Sequence, residues 1–220
     1  MLKAPFLLVN GILVIIVRFV IRMCTFVFFR PKTYYVNKKV QKKRIRKPAV
    51  IISNHTYYID GVLIGTLFFM DRIYSFAAKD LYTTFAKKWL MNSCRCIPLN
   101  RNEVDVKWMH KGVDVLRKGY PVCIFPEGVS NYDGVMSEFK PGFLLLAIRT
   151  NSPIIPMCID GPYKFFFGQR QRILIGEPMH INVPESGVTK EFLAEEAEKY
   201  RQVILDMQQT LKSKYKGKKR

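Results

Sequence analysis

One histidine and one aspartate stand five positions apart in IISNHTYYIDG, residues 51–61. His55 comes where an apolar run stops, and Asp60 is the first acidic residue of the chain. A turn from strand to helix can bring side chains at this spacing within hydrogen-bond reach. The carboxylate would then hold one ring nitrogen in a fixed tautomer, leaving the other free to take a proton from a substrate hydroxyl. No serine or cysteine is seen to pair with this histidine at a nucleophile elbow, so the attacking group is expected to come from the substrate. A helix cap beside a surface histidine is the alternative for so short a pattern. His110, on the exposed side of a helix, and His180, in a late extended segment, lack this setting and read as structural or solvated.

The elements that would position the pair follow from periodicity. After Pro48, short β-rich runs alternate with helical ones. AVIIS at 49–53 reads as a buried strand, and a helical stretch follows over 56–70. Residues 72–78 are extended, Asp80 is placed to cap the next helix, and CRCIPL at 94–99 is extended again. Val106, Met109, Val113 and Leu116 recur at helical spacing, and PVCIF at 121–125 is a further strand. A proline-opened helix at 141–150, strands at 153–159 and 171–178, and a long C-terminal helix complete the pattern. Such alternation predicts an α/β fold, a mostly parallel sheet flanked by helices, with a membrane-associated helix at the N-terminus. Loops at the carboxyl ends of strands carry the chemistry in such sheets. SNHTYYID, NRNE and PEGVSNYDG occupy three of those places.

Charge divides the chain. The 220 residues carry a formal net charge of +19. Residues 1–50 hold twelve Lys and Arg and no acid, and 212–220 hold six more bases and no acid. The remaining eighteen bases face all seventeen acids, a net of +1. A nearly neutral core with two basic ends lacks the basic face and the motifs of a nucleic-acid binder, so no nucleic-acid partner is expected. The five cysteines form no Cys-x-x-Cys pair and suggest reduced thiols and no metal site. The predicted organisation is a membrane anchor helix at 1–30, a basic juxtamembrane segment at 31–48, the main domain at 49–211 and a basic tail at 212–220.

Residues 6–29 are long enough to span a bilayer, but Arg18 and Arg22 interrupt them. Lys3, Asn10, Gly11, Arg18 and Arg22 fall within roughly a third of the helix circumference. A charge at the bilayer centre costs on the order of 3 kcal/mol. An in-plane or half-inserted helix with its polar stripe turned up avoids that cost and is preferred to a full span. No cleavage site of a signal peptide follows. The nine bases of 30–48 fit a collar on anionic headgroups and place the active side in the cytoplasm.

The later stretches weigh on the pair. NHTYYID, the arginine of IPLNR, FPEG at 125–128, FKPG at 139–142 and SPIIPM at 152–157 occur in this order. Together these blocks, spanning 49–158, resemble the glycerophospholipid acyltransferase family, which includes the lysophosphatidic acid acyltransferases. The resemblance implies that His55 is the general base on the acceptor hydroxyl and Asp60 its orienting carboxylate. It implies an acceptor pocket from Arg101, Glu127 and Gly128. The acyl donor would be acyl-CoA or acyl carrier protein, and no metal or bound cofactor would be needed. The acceptor implied is a lysophospholipid, foremost 1-acyl-glycerol-3-phosphate, with another lysophospholipid or glycerol-3-phosphate as the alternative and a silent lipid-surface scaffold a remote one. Two positions depart from the family pattern. Arg95 stands where the second block usually has glycine, and Val129 and Ser130 replace the threonine and arginine that often follow FPEG. Lys216 and Lys218 resemble a dilysine retrieval signal, so the expected membrane is the endoplasmic reticulum in a eukaryote and the inner membrane in a bacterium.

Overall fold

A computed structural model describes residues 3–40, 44–45, 47–100, 106–160 and 170–214. Arg101 and the lysine pair of the tail therefore lie outside the described residues. Among the described residues seven strands form one sheet: β1 (Lys32–Tyr35), β2 (Val50–Ser53), β3 (Tyr74–Ala78), β4 (Cys96–Leu99), β5 (Val122–Ile124), β6 (Ile154–Ile159) and β7 (Arg172–Ile175). Their order is β1-β7-β6-β2-β5-β3-β4, and every neighbouring pair is parallel except β6 and β7. The helices are α1 (Lys3–Phe29), α2 (Asp60–Leu67), α3 (Phe85–Ser93), α4 (Lys107–Arg117), α5 (Gly142–Thr150) and α6 (Lys190–Lys214).

The central strands are buried on both faces, which is why they read as unbroken apolar runs. Their residues alternate between two cores. Val50 and Ile52 face a core built with Val113, Leu146, Phe143 and Tyr200 of α4, α5 and α6. Ile51, with Ile155 and Met157, faces a second core built with Leu63 and Ile64 of α2. This two-sided packing fixes the register, because a slip of one residue would exchange the two faces.

Three elements differ from the sequence reading. Residues 32–35, read as part of the basic collar, form the edge strand β1, with Lys32 opposite Arg172 and Tyr35 opposite Ile175. Tyr34 and Tyr35 supply the side chains that pack there, while an edge position tolerates the lysine. The helix after β2 begins at Asp60 rather than 56, because the intervening amides turn to that carboxylate. Asp80 does not cap α3; it sits in a separate 3₁₀ turn, Lys79–Tyr82, and Thr84 is the N-cap, accepting from the Lys87 amide at 3.2 Å.

Within α1, Asn10–Phe29 is long and apolar enough to cross a membrane. Its polar stripe does not point away from the protein. The Arg18 guanidinium donates to the Ser93 carbonyl, and Arg22 donates to the Thr66 carbonyl at 2.6 Å. Trp89 donates to the Asn10 side chain at 2.9 Å. Ser93 and Thr66 lie in the last turns of α3 and α2, where carbonyls lack helical partners and the dipole favours cations. The two arginines that made the helix read awkwardly as a membrane span therefore cap two helices of the main domain. The opposite face of α1, including Ile12, Ile16, Phe19, Met23 and Val27, stays exposed.

Candidate active site

β2 carries the chain to the carboxyl end of the sheet, and Asn54 stops it there. The buried Asn54 amide donates to the Ile159 carbonyl at 2.9 Å and accepts from the Ile159 amide at 2.8 Å. This two-way bond ties the end of β2 to β6. His55 follows with its ring stacked on Phe125, 4.3 Å between centroids at 21°. Phe125 stands just past β5, so the FPEG stretch and the histidine meet where neighbouring strands end.

Asp60 opens α2 and is fully buried. Its Oδ2 accepts from His55 Nδ1 at 2.9 Å, from the Thr56 amide at 2.7 Å and from the Tyr57 amide at 2.8 Å. A carboxylate that already collects two amide protons is an acceptor only. Nδ1 must therefore carry the ring proton, and Nε2 of the neutral imidazole is left as a base. Nε2 faces Ser130 Oγ at 3.0 Å. This corrects the expectation that no serine pairs with His55. The partner lies 75 residues along the chain, and only the convergence of β2 and β5 brings it near. Thr56 Oγ1, beside the pair, is buried without a hydrogen-bond partner among the described residues.

Glu127 is 4% exposed and spends both oxygens on the protein. Oε1 accepts from the His55 amide at 2.6 Å, and Oε2 accepts from the Asn131 side chain and from the Ser137 amide at 2.9 Å. Burial raises its carboxyl above the ordinary value, and those same donors oppose the rise. Glu127 therefore stands behind the pocket wall rather than in it, holding the loop of 128–137 to the backbone of His55. Arg201 of α6 adds to this by donating to the Met136 and Ser137 carbonyls, each at 3.1 Å. Gly128 turns with φ +75°, and a Cβ there would lie 3.2 Å from Lys140 Nζ, so the Lys140 ammonium sits over the glycine.

A cavity of about 630 Å³ opens on this constellation. His55, Gly128, Ser130, Lys140 and Asn100 line one end. Apolar side chains from α1, α2, α3 and β3, among them Ile21, Val62, Phe76 and Leu90, line its walls. Arg18, Cys94 and Arg95 line the other end. The structure thus brings together His55, Asp60, Glu127 and Gly128. Residue reading missed Ser130, Lys140 and Arg201. Ser130 and Lys140 lie within or beside the motif blocks, which was the available signal; Arg201 has none, since it acts from a helix far along the chain.

Comparison with known proteins bears on this geometry. The family model described as Acyltransferase matches residues 32–160. The chloroplastic 1-acyl-sn-glycerol-3-phosphate acyltransferase BAT2 of Brassica napus is 28% identical over 155 residues, 68% of this chain and 44% of that protein. The 1-acyl-sn-glycerol-3-phosphate acyltransferase of Bacillus subtilis is 26% identical over 168 residues, 74% of this chain and 82% of that protein. The chain thus spans under half the length of the plant relative and most of the bacterial one. The crystal structure of the 1-acyl-sn-glycerophosphate (LPA) acyltransferase PlsC from Thermotoga maritima matches with a TM-score of 0.65 at 22% identity, over 90% of this chain and 80% of that one. The fold is shared with it.

Proposed function

The chain belongs to the acyltransferase family, and from that premise we propose that it transfers a fatty acyl group from a thioester donor to the free hydroxyl of a lysophospholipid, 1-acyl-glycerol-3-phosphate first among them. One observation carries this reading. His55 Nδ1 is fixed on Asp60, and Nε2 is turned to a hydroxyl 3.0 Å away at the polar end of a largely apolar cavity.

In this reading the acceptor hydroxyl takes the place of Ser130 Oγ against Nε2. His55 removes its proton as the oxygen attacks the thioester carbonyl, and the Asp60 carboxylate stabilises the imidazolium. The carbon–sulfur bond breaks, the sulfur takes the proton from Nε2, and free thiol leaves. Positioned proton transfer of this kind contributes about 10²–10⁴-fold. The Lys140 ammonium supplies a positive charge beside Gly128 for the acceptor phosphate, at an end where Ser130 replaces the family's usual arginine. Arg101, whose fork suits a phosphate, is the second candidate for that role. The apolar cavity shelters the acyl chain, and the exposed face of α1 sits on a membrane with anionic lipids, its active side cytoplasmic. The donor is acyl-CoA or acyl carrier protein, and the chemistry calls on no further cofactor.

The test is transfer of a labelled acyl group from acyl-CoA across a panel of lysolipid acceptors, with His55→Ala beside the wild type. Transfer to 1-acyl-glycerol-3-phosphate, lost in the variant, is expected. Transfer that survives His55→Ala would end the mechanism, and a preference for another acceptor would end the substrate assignment.

A second reading rests on Ser130 alone. Serine, His55 and Asp60 are placed as nucleophile, base and orienter. Ser130 Oγ would then attack the thioester itself, give its proton through His55 to the departing thiol, and hold the acyl group as an ester until the acceptor hydroxyl displaces it. Incubation with acyl-CoA and no acceptor decides the matter. An acyl adduct on Ser130, by intact mass, supports the second reading; a Ser130→Ala variant that keeps transfer within about threefold of wild type supports direct attack.

A further inference from the structure

The cavity runs the length of β4. Its lining includes Asn100, just past the carboxyl end of that strand, and Arg95, just before its amino end. β4 is parallel to β3, β3 to β5 and β5 to β2, so Asn100 shares an end of the sheet with His55 while Arg95 lies at the opposite end. Five residue steps of strand separate the two, on the order of 17 Å at ~3.3 Å per residue.

Arg95 is held there against its own backbone preference. It follows α3 at the position where a helix commonly ends in a left-handed residue, and its φ is +59°. The turn is closed by the Arg95 amide donating to the Asn92 carbonyl at 3.0 Å, and the Arg95 carbonyl then accepts from the Ser75 amide at 3.2 Å. Glycine adopts that conformation without strain, and an L side chain does not. Among the described residues no carboxylate is recorded acting on the side chain in exchange. The charged groups that bear on it are the guanidiniums of Arg18 and Arg72, and the phenols of Tyr74 and Tyr120 lie nearby. Burial is the main cause that lowers its pKa, with Arg18 next. Among the described residues that line the cavity the sole acid is Asp80, in the turn after β3 at the opposite end of the strands. Two guanidiniums thus stand at the end of the apolar walls away from His55.

We propose that Arg95, together with Arg18, forms the floor of the cavity and sets the length of acyl chain it accepts. This rests on reading the cavity as the acyl site. A chain laid from the thioester at His55 along β4 gains by burying each methylene until it nears the guanidiniums. A longer chain must strip water from two cations and offers them nothing in return. The floor therefore favours the acyl chain that stops short of Arg95.

Non-reactive S-alkyl-CoA thioethers of graded chain length read this floor without turnover. In the wild type, affinity is expected to rise with each added carbon and then level off sharply. Arg95→Gly, unstrained at φ +59°, should keep the fold, by an unchanged or raised melting temperature. In that variant the break should move to longer chains, with affinity for the next two carbons up about tenfold. Arg95→Met keeps bulk and removes charge, and a shift there as well assigns the floor to the charge. If both variants break at the wild-type length, the proposal is overturned. A length break that moves as expected in a protein that transfers no acyl group would instead overturn the acyltransferase reading and leave the floor standing.

Discussion

The two ends of the cavity are built on opposite principles. At the carboxyl end of the strands the buried carboxylates of Asp60 and Glu127 are met by donors from within the protein, and the loop of 128–137 is sewn to His55 through Glu127 by three such contacts. At the amino end Arg95 is half-buried, conformationally strained and faced by like charge. Satisfied groups hold a geometry still, which a proton transfer needs. Charge with no carboxylate recorded beside it among the described residues is left to act on what enters. On the proposed function, the difference separates the residues that would carry the chemistry from those that would decide what may undergo it.

Substitutions at the catalytic end should have the larger effects on rate. His55→Ala should lower kcat/KM by about 10²–10⁴-fold while melting temperature and retention on membranes hold, as assays on purified vesicles and a high-salt wash would record. Asp60→Asn leaves an acceptor for the Thr56 and Tyr57 amides but brings an N–H donor to the same site, and a drop of about a hundredfold in kcat is expected with KM little changed. Survival of near-normal kcat in that variant would break the comparison, because it would mean that the fixed tautomer is not what the end provides.

Glu127→Ala should cost about 1–3 kcal/mol of stability, because the His55 and Ser137 amides lose their acceptor in a buried setting. Denaturant unfolding measures this, and kcat should fall with it as the loop loosens. Arg22→Ala removes the donor to the Thr66 carbonyl and should cost about 1–2 kcal/mol, with helix α2 fraying at its C-terminal end by hydrogen exchange while the Asp60 end stays protected.

The smallest expected effect is on pH. Burial raises the Glu127 carboxyl, so the folded protein keeps that proton to higher pH than the unfolded chain does. The group's contribution to stability therefore declines as pH rises from the unfolded value of about 4.3 up through the raised folded value. Glu127→Gln abolishes that slope, and the difference in melting temperature between the two proteins across this window should grow in favour of the variant as pH rises. A flat difference would show that the hydrogen bonds cancel the effect of burial at this carboxyl.

How much was readable in the chain itself depends on the distance over which each contact acts. His55 and Asp60 are five residues apart, so one strand-to-helix turn settles whether they meet, and residue types announce it. FPEG marked the third loop, but not that Glu127 would bond the His55 amide from 72 positions away. Ser130 was noted as a substitution and not as a partner, since nothing local points a serine at a distant ring. The collar residues 32–35 were hidden as a strand because the surrounding bases dominate the local signal, while the partner that makes them a strand, β7, comes some 140 positions later.

The sequence alone determined the alternation of strands and helices, the apolar N-terminal helix and the meeting of His55 with Asp60, because each is fixed by periodicity or by a short turn. The tertiary structure decided where α1 docks, which hydroxyl faces Nε2, and that Arg95 and Arg18 share one cavity with His55. Those facts depend on which strands lie side by side, and a side chain reveals its charge in the sequence but not the neighbours that charge will meet.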